Sequence, residues 1–218
     1  MNLDEIKQAI KEWGNVRTSP KKVLTYLKQG SCFKIERVQF EQWNKNSPEK
    51  LHAYLGIIGN KLNIVLIDSV SDKNPAAHLD SIFIQDYLKG LSKKEEEYMA
   101  NATNGGITVA DAQKRMKQWK TSADLWVEEK AKTPDGIFQA FLIPFVDLKS
   151  QFEGTSNPTS AVFWGINNKN EADLILWGLK PIVNQVNAAL KFGEDGSPVE
   201  DLTEPAPPYG GEDLGLLG

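Results

Sequence analysis

Residues 52–68 hold two apolar runs joined by Gly59-Asn60, and no other feature constrains the fold as tightly. A two-residue loop of this composition suits the turn between adjacent antiparallel strands, because Gly and Asn both tolerate positive φ. Pairing across it sets Ile57 opposite Leu62, Leu55 opposite Ile64 and Ala53 opposite Leu66. Strand side chains alternate, so these six share one face, and that face is wholly apolar. The sequence therefore predicts a β-hairpin over 52–58 and 61–68 with one side that must be covered.

The segment before it supplies covering elements. Leu3, Ile6, Ala9, Ile10 and Trp13 recur at helical spacing, which predicts an amphipathic helix over 3–14. Ser19-Pro20 gives a cap and a proline at the first helical position, so a second helix runs to about Gln29. Residues 32–38 alternate as a strand, and Phe40 with Trp43 fits a short helix. A third strand is expected within 81–87, a charged helix over 91–100 and a loop over 101–106.

The second half repeats this order. Helices are expected over 109–119 and 123–132, a strand over 136–143 and a short helix over 145–152. Strands over 161–166 and 172–177 follow, with a last helix from about Pro181 to Leu190. Trp13 aligns with Trp119, Phe33 with Phe138 and Phe40 with Phe145. Tyr54-Leu55-Gly56-Ile57 aligns with Phe163-Trp164-Gly165-Ile166. The fold class expected is α+β: two similar helix-helix-strand-helix-hairpin units with antiparallel sheets, a tandem duplication with pseudo-two-fold symmetry. The units span 1–91 and 108–192, with a charged linker over 92–107. The groove between them is the natural place for a ligand.

From residue 193 the character changes. No Lys or Arg follows Lys191, whereas Glu194, Asp195, Glu200, Asp201, Glu204, Glu212 and Asp213 do. The net charge of −4 thus conceals a mildly basic body with an acidic tail. With Pro198, Pro205, Pro207 and Pro208 and many glycines, 193–218 reads as a flexible, disordered tail. Within it, Pro207, Pro208 and Tyr209 favour an extended conformation, and Leu214, Leu216 and Leu217 form an apolar end. A short apolar group in a flexible acidic segment suits docking on a protein, in trans or in cis.

Catalytic motifs are missing from the sequence: it contains neither a nucleophile elbow nor a P-loop nor a dinucleotide fingerprint. No cofactor and no metal is expected. Asp68, Asp72, His78 and Asp80 make a possible polar site, although their spacing matches no metal motif. His52, at the start of a strand, reads as a cap on the sheet edge. The single cysteine, Cys32, rules out an intrachain disulfide, reads as a small core residue and suits a reducing, cytoplasmic setting. The Lys- and Asn-rich composition looks bacterial. No apolar run approaches membrane-spanning length.

Three functions follow. The first is a non-enzymatic adaptor or assembly protein that binds a protein partner through the inter-unit surface, the tail or both. The second is an enzyme or small-ligand binder with its site between the units. The third is weak nucleic-acid binding through Lys7, Lys11, Arg17, Lys21, Lys22, Lys28, Lys34 and Arg37.

Overall fold

The structure, a computed structural model, describes residues 1–99, 103–179, 198–200, 204–206 and 214–217. Helix α1 (Leu3–Gly14) opens with a capping box between Asn2 and Glu5 and buries Ile6, Ala9, Ile10 and Trp13. Helix α2 (Pro20–Leu27) starts at its proline. Next come β1 (Cys32–Glu36), α3 (Arg37–Asn44) and the hairpin of β2 (Lys50–Ile58) and β3 (Lys61–Asp68). Short 3-10 turns at Ser71–Lys73, Pro75–Ala77 and Leu79–Ser81 lead to β4 (Phe83–Asp86). The second half contains α4 (Lys93–Met99), β5 (Thr103–Asn104), α5 (Val109–Lys130), β6 (Ala140–Pro144) and α6 (Phe145–Phe152). It closes with β7 (Thr159–Ile166), β8 (Ala172–Leu179), β9 (Pro198–Glu200) and β10 (Glu204–Ala206).

The protein is an α+β fold with two five-stranded sheets. The first runs β1-β7-β8-β9-β5, the second β10-β6-β2-β3-β4. Gly59 and Asn60 both have positive φ, at 54° and 64°. The hairpin register is the expected one, with Ile57, Leu55 and Ala53 opposite Leu62, Ile64 and Leu66. All six residues enter one core.

Strands are exchanged between the halves. β1 pairs with β7 rather than with β2, and β6 pairs with β2 rather than with β7. The segments 1–91 and 108–192 therefore share both sheets. The sheets pack face to face on a common core: Phe33, Ile35, Val162 and Trp164 come from the first sheet, and Leu55, Ile64 and Phe141 from the second. The rings of Phe141 and Trp164 meet across it, centroids 5.2 Å apart. Phe40 stacks on Phe145 and Phe152, and Arg37 donates to the carbonyls of Phe152, Thr155 and Asn157, tying the halves again.

Each outer face has its own cover. Cys32, Phe163, Ile175 and Trp177 of the first sheet pack against residues of α4 and α5. Tyr54, Val65, Ile67 and Ala140 of the second sheet pack against Ile6 and Ile10 of α1 and against Leu214 and Leu216. The result is a helix–sheet–sheet–helix sandwich.

Several expectations change. Residues 109–130 form one helix of 22 residues rather than two. Thr121, at the expected break, donates its hydroxyl to the carbonyls of Lys117 and Gln118 within the unbroken helix. Within the tail expected to be disordered, residues 198–200 and 204–206 are strands and 214–217 pack on the body. β9 and β10 join the two sheets, and Pro205 is tolerated because β10 is an edge strand. Thr103–Asn104, expected in a loop, pairs with β9. The helix expected over 181–190 lies outside the described residues. Among the described residues no helix is long and apolar enough to cross a membrane.

Candidate functional site

The possible polar site separates into parts. Asp68 closes β3 as a turn residue: its Oδ1 accepts from the backbone N–H of Val70 and Ser71, both at 3.0 Å, and its Oδ2 from Asn46. Asp72 is fully buried and lies at the centre of a network. Its Oδ2 accepts from the Tyr54 hydroxyl and lies 2.6 Å from His52 Nδ1, and its Oδ1 accepts from the Leu216 N–H at 3.2 Å. His78 is half-buried and Asp80 is exposed, taking only a 3.3 Å bond from Gln42. The four residues therefore do not converge. Among the described residues no group of three or more His, Cys, Asp or Glu is placed to hold a metal.

His52 is not an edge cap. β2 is the central strand of its sheet, flanked by β6 and β3, and His52 is 1% exposed. His52 and Tyr54, two residues apart on that strand, reach the same carboxyl group. Burial, together with the Asp72 charge, pushes the Tyr54 hydroxyl far above the usual phenol range. An Asp–His–Tyr constellation is chemistry that proton transfer uses elsewhere. Here it is sealed beneath the 3-10 turns and the C-terminal segment, and its visible work is to hold both to the sheet.

In the tail, Leu214 and Leu216 pack onto this chain, whereas Leu217 stands at the rim, 37% exposed. Pro207, Pro208 and Tyr209 lie outside the described residues. Cys32 is buried, and burial pushes its thiol upward, away from reactivity. A further buried acid, Asp147 on α6, was not visible as special in the sequence. Burial, with the Glu200 carboxylate of β9 nearby, pushes it up to about 7, and its Oδ2 has no hydrogen-bond partner among the described residues.

An accessible concave site lies between α2 and α5, where helices from the two halves pack together. It encloses about 880 Å³. Leu27, Met116, Trp119, Phe163 and Trp164 form its floor. Helical spacing sorts α5 here: Met116 and Trp119 turn inward, and Lys117 and Lys120 turn outward. The rim carries Lys28, Lys89, Lys117 and Lys120. Lys28 bridges to Asp124 at 2.7 Å, and the other three make no ion pair among the described residues. Neutralising anions suit such a rim, and bulky apolar groups suit such a floor. The groove's residues come from four separated stretches of chain, so no local motif marks it. No protein-family model, no curated protein and no solved structure matches this chain.

Proposed function

We propose that this chain is a non-enzymatic binding protein whose groove between α2 and α5 takes an acidic segment of a partner protein that carries bulky apolar side chains. The observation that carries this reading is an aromatic floor ringed by lysines, three of which have no anionic partner among the described residues. Apolar anchors in the floor supply affinity, and the rim steers acidic partners and rejects basic ones. The sealed state of His52, Tyr54 and Asp72, at 1%, 0% and 0% exposure, lends no support to catalysis there.

Nucleic acid fits less well. Of the eight basic residues named for that role, Arg17 donates to the carbonyl of Ile137, Lys28 pairs with Asp124, Lys34 pairs with Glu95, and Arg37 clamps backbone carbonyls. A second reading, a small anionic amphiphile, is favoured by the size of the groove, which lies within the roughly 300–1,000 Å³ of small-molecule sites. In the present reading the setting is cytoplasmic, supported by a single buried thiol, and the two halves are copies that exchanged their first strands, supported by their matching element order.

The test is a titration followed by tryptophan fluorescence, since Trp119 and Trp164 line the floor. The probes are a short peptide alternating Glu with Leu and Phe, and decanoate. The peptide should bind, weaken as salt rises from about 0.05 M to about 0.5 M, and lose at least about tenfold in affinity on Lys117→Glu with Lys120→Glu. Binding of decanoate alone would transfer the site to the second reading. Peptide binding indifferent to the double charge reversal would remove the groove from the function.

A further inference from the structure

The outer face of the second sheet carries another binding feature, independent of the groove. Three contacts define it. Leu216 is 1% exposed and sits among Ile6, Ile10, Tyr54, Val65, Ile67 and Ala140. Its N–H donates to Asp72 Oδ1 at 3.2 Å. A Cβ on Gly215 would stand 1.8 Å from the carbonyl oxygen of Asp72, so any side chain is excluded at that position. Together these contacts read a backbone N–H, the lack of a side chain and a leucine, in a fixed order.

The receiving side is organised without help from the tail. His52 and Tyr54 hold Asp72 Oδ2, which leaves Oδ1 for the visitor. Asp68 caps the turn that carries Asp72, and Asn46 bonds both Asp68 and Ser71. A carboxyl group positioned this way loses little freedom on binding. We propose that this face is a peptide-recognition slot for a Leu-Gly-Leu segment, filled in cis by residues 214–217 and able to receive the same segment from a second copy of the chain.

The tether permits exchange. Ala206 pairs with Ala140, which pairs with Tyr54, so the end of β10 lies roughly 10 Å from the slot across two strand spacings. Residues 207–213 can reach about 24 Å when extended, well beyond that gap. Leu216 can therefore leave the slot while β10 stays paired. A tether of this length holds its segment near the slot at an effective concentration on the order of millimolar, so the cis arrangement dominates in dilute solution.

The experiment uses the full chain carrying Leu216→Asp as receptor and a fluorescent peptide of residues 212–218 as probe, read by anisotropy. The receptor should bind the peptide, and the wild-type chain should bind it at least about tenfold more weakly because its own segment competes. A peptide with alanine in place of Gly215 should not bind, and adding Asp72→Asn to the receptor should weaken binding. Mixed with the wild-type chain at high concentration, the receptor should form a 1:1 dimer. A folded receptor that ignores the peptide, or that binds the alanine peptide equally, overturns the proposal. Should the receptor not fold, excess peptide is added to the wild-type chain and hydrogen exchange of the tail Leu216 amide is measured. Faster exchange supports displacement from the slot, and unchanged exchange overturns it.

Discussion

The groove beside α5 and the cluster around Asp72 are built from the same kinds of residue, aromatic rings next to charges, yet only one has its charges answered. Asp72 meets a phenol, an imidazole and a backbone N–H, and it is closed from solvent. Lys89, Lys117 and Lys120 stand exposed above Trp119 and Phe163 without an anion among the described residues. A satisfied buried network stabilises the fold, whereas an open groove with unpaired charges leaves room for a ligand. Both Asp72 carboxylate oxygens are bonded and shut from solvent, which argues for a structural role of the cluster.

This contrast can be broken by mutation. Asp72→Ala leaves Tyr54, His52 and the Leu216 N–H without their acceptor and should cost about 3–5 kcal/mol, read as a lower urea midpoint. Peptide binding in the groove should be unchanged in whatever fraction remains folded.

Asp147 sharpens the point, because it is a buried acid without full satisfaction. Its folded value of about 7 lies above the unfolded value near 3.8, so the native state binds the extra proton. Stability from this group is complete below about pH 4 and is lost as pH rises through about 7, by up to about 4 kcal/mol. Asp147→Asn should flatten that decline in a series of urea melts, whereas an unaltered slope would assign it to other groups.

Leu216→Ala should cost about 2–3 kcal/mol, through lost apolar contact on the outer face of the second sheet. Lys117→Ala with Lys120→Ala should move stability by less than about 0.5 kcal/mol while weakening groove binding. Lys28→Ala should do least to stability, below about 0.5 kcal/mol, since its bridge to Asp124 is exposed on both sides. If the lysine pair proved as destabilising as Asp72→Ala, the division between a structural and a recognition site would fail.

The sequence made the local elements legible. Gly59-Asn60 set the turn, and period-two alternation set the hairpin register, because one slipped residue would have turned the apolar face outward. Residues 61–68 and 145–152 match their observed elements end to end. What stayed hidden was non-local. Nothing in residues 32–36 says that they pair with 159–163 rather than with their own hairpin, since edge-to-edge hydrogen bonding is the same in both. Pro205 and its neighbours looked too irregular for a sheet, because composition does not reveal an available edge. His52 looked like an end cap because β6, its second neighbour, lies far along the chain. Lys89, Lys117 and Lys120 escaped notice for the same reason: their shared position is a product of packing.

The exchange of β1 and β6 has a consequence for biosynthesis. On a ribosome the leading half emerges with its hairpin complete but with the strand that flanks it still untranslated, and its own β1 without a place to lie until residue 163 has cleared. Both sheets then close nearly together, late, from contacts distant in sequence, an order that slows folding and prolongs the display of adhesive apolar surface. A nascent chain with that schedule depends on shielding during synthesis. A prematurely terminated first half would carry an open strand edge that fits the hairpin edge of a second such fragment.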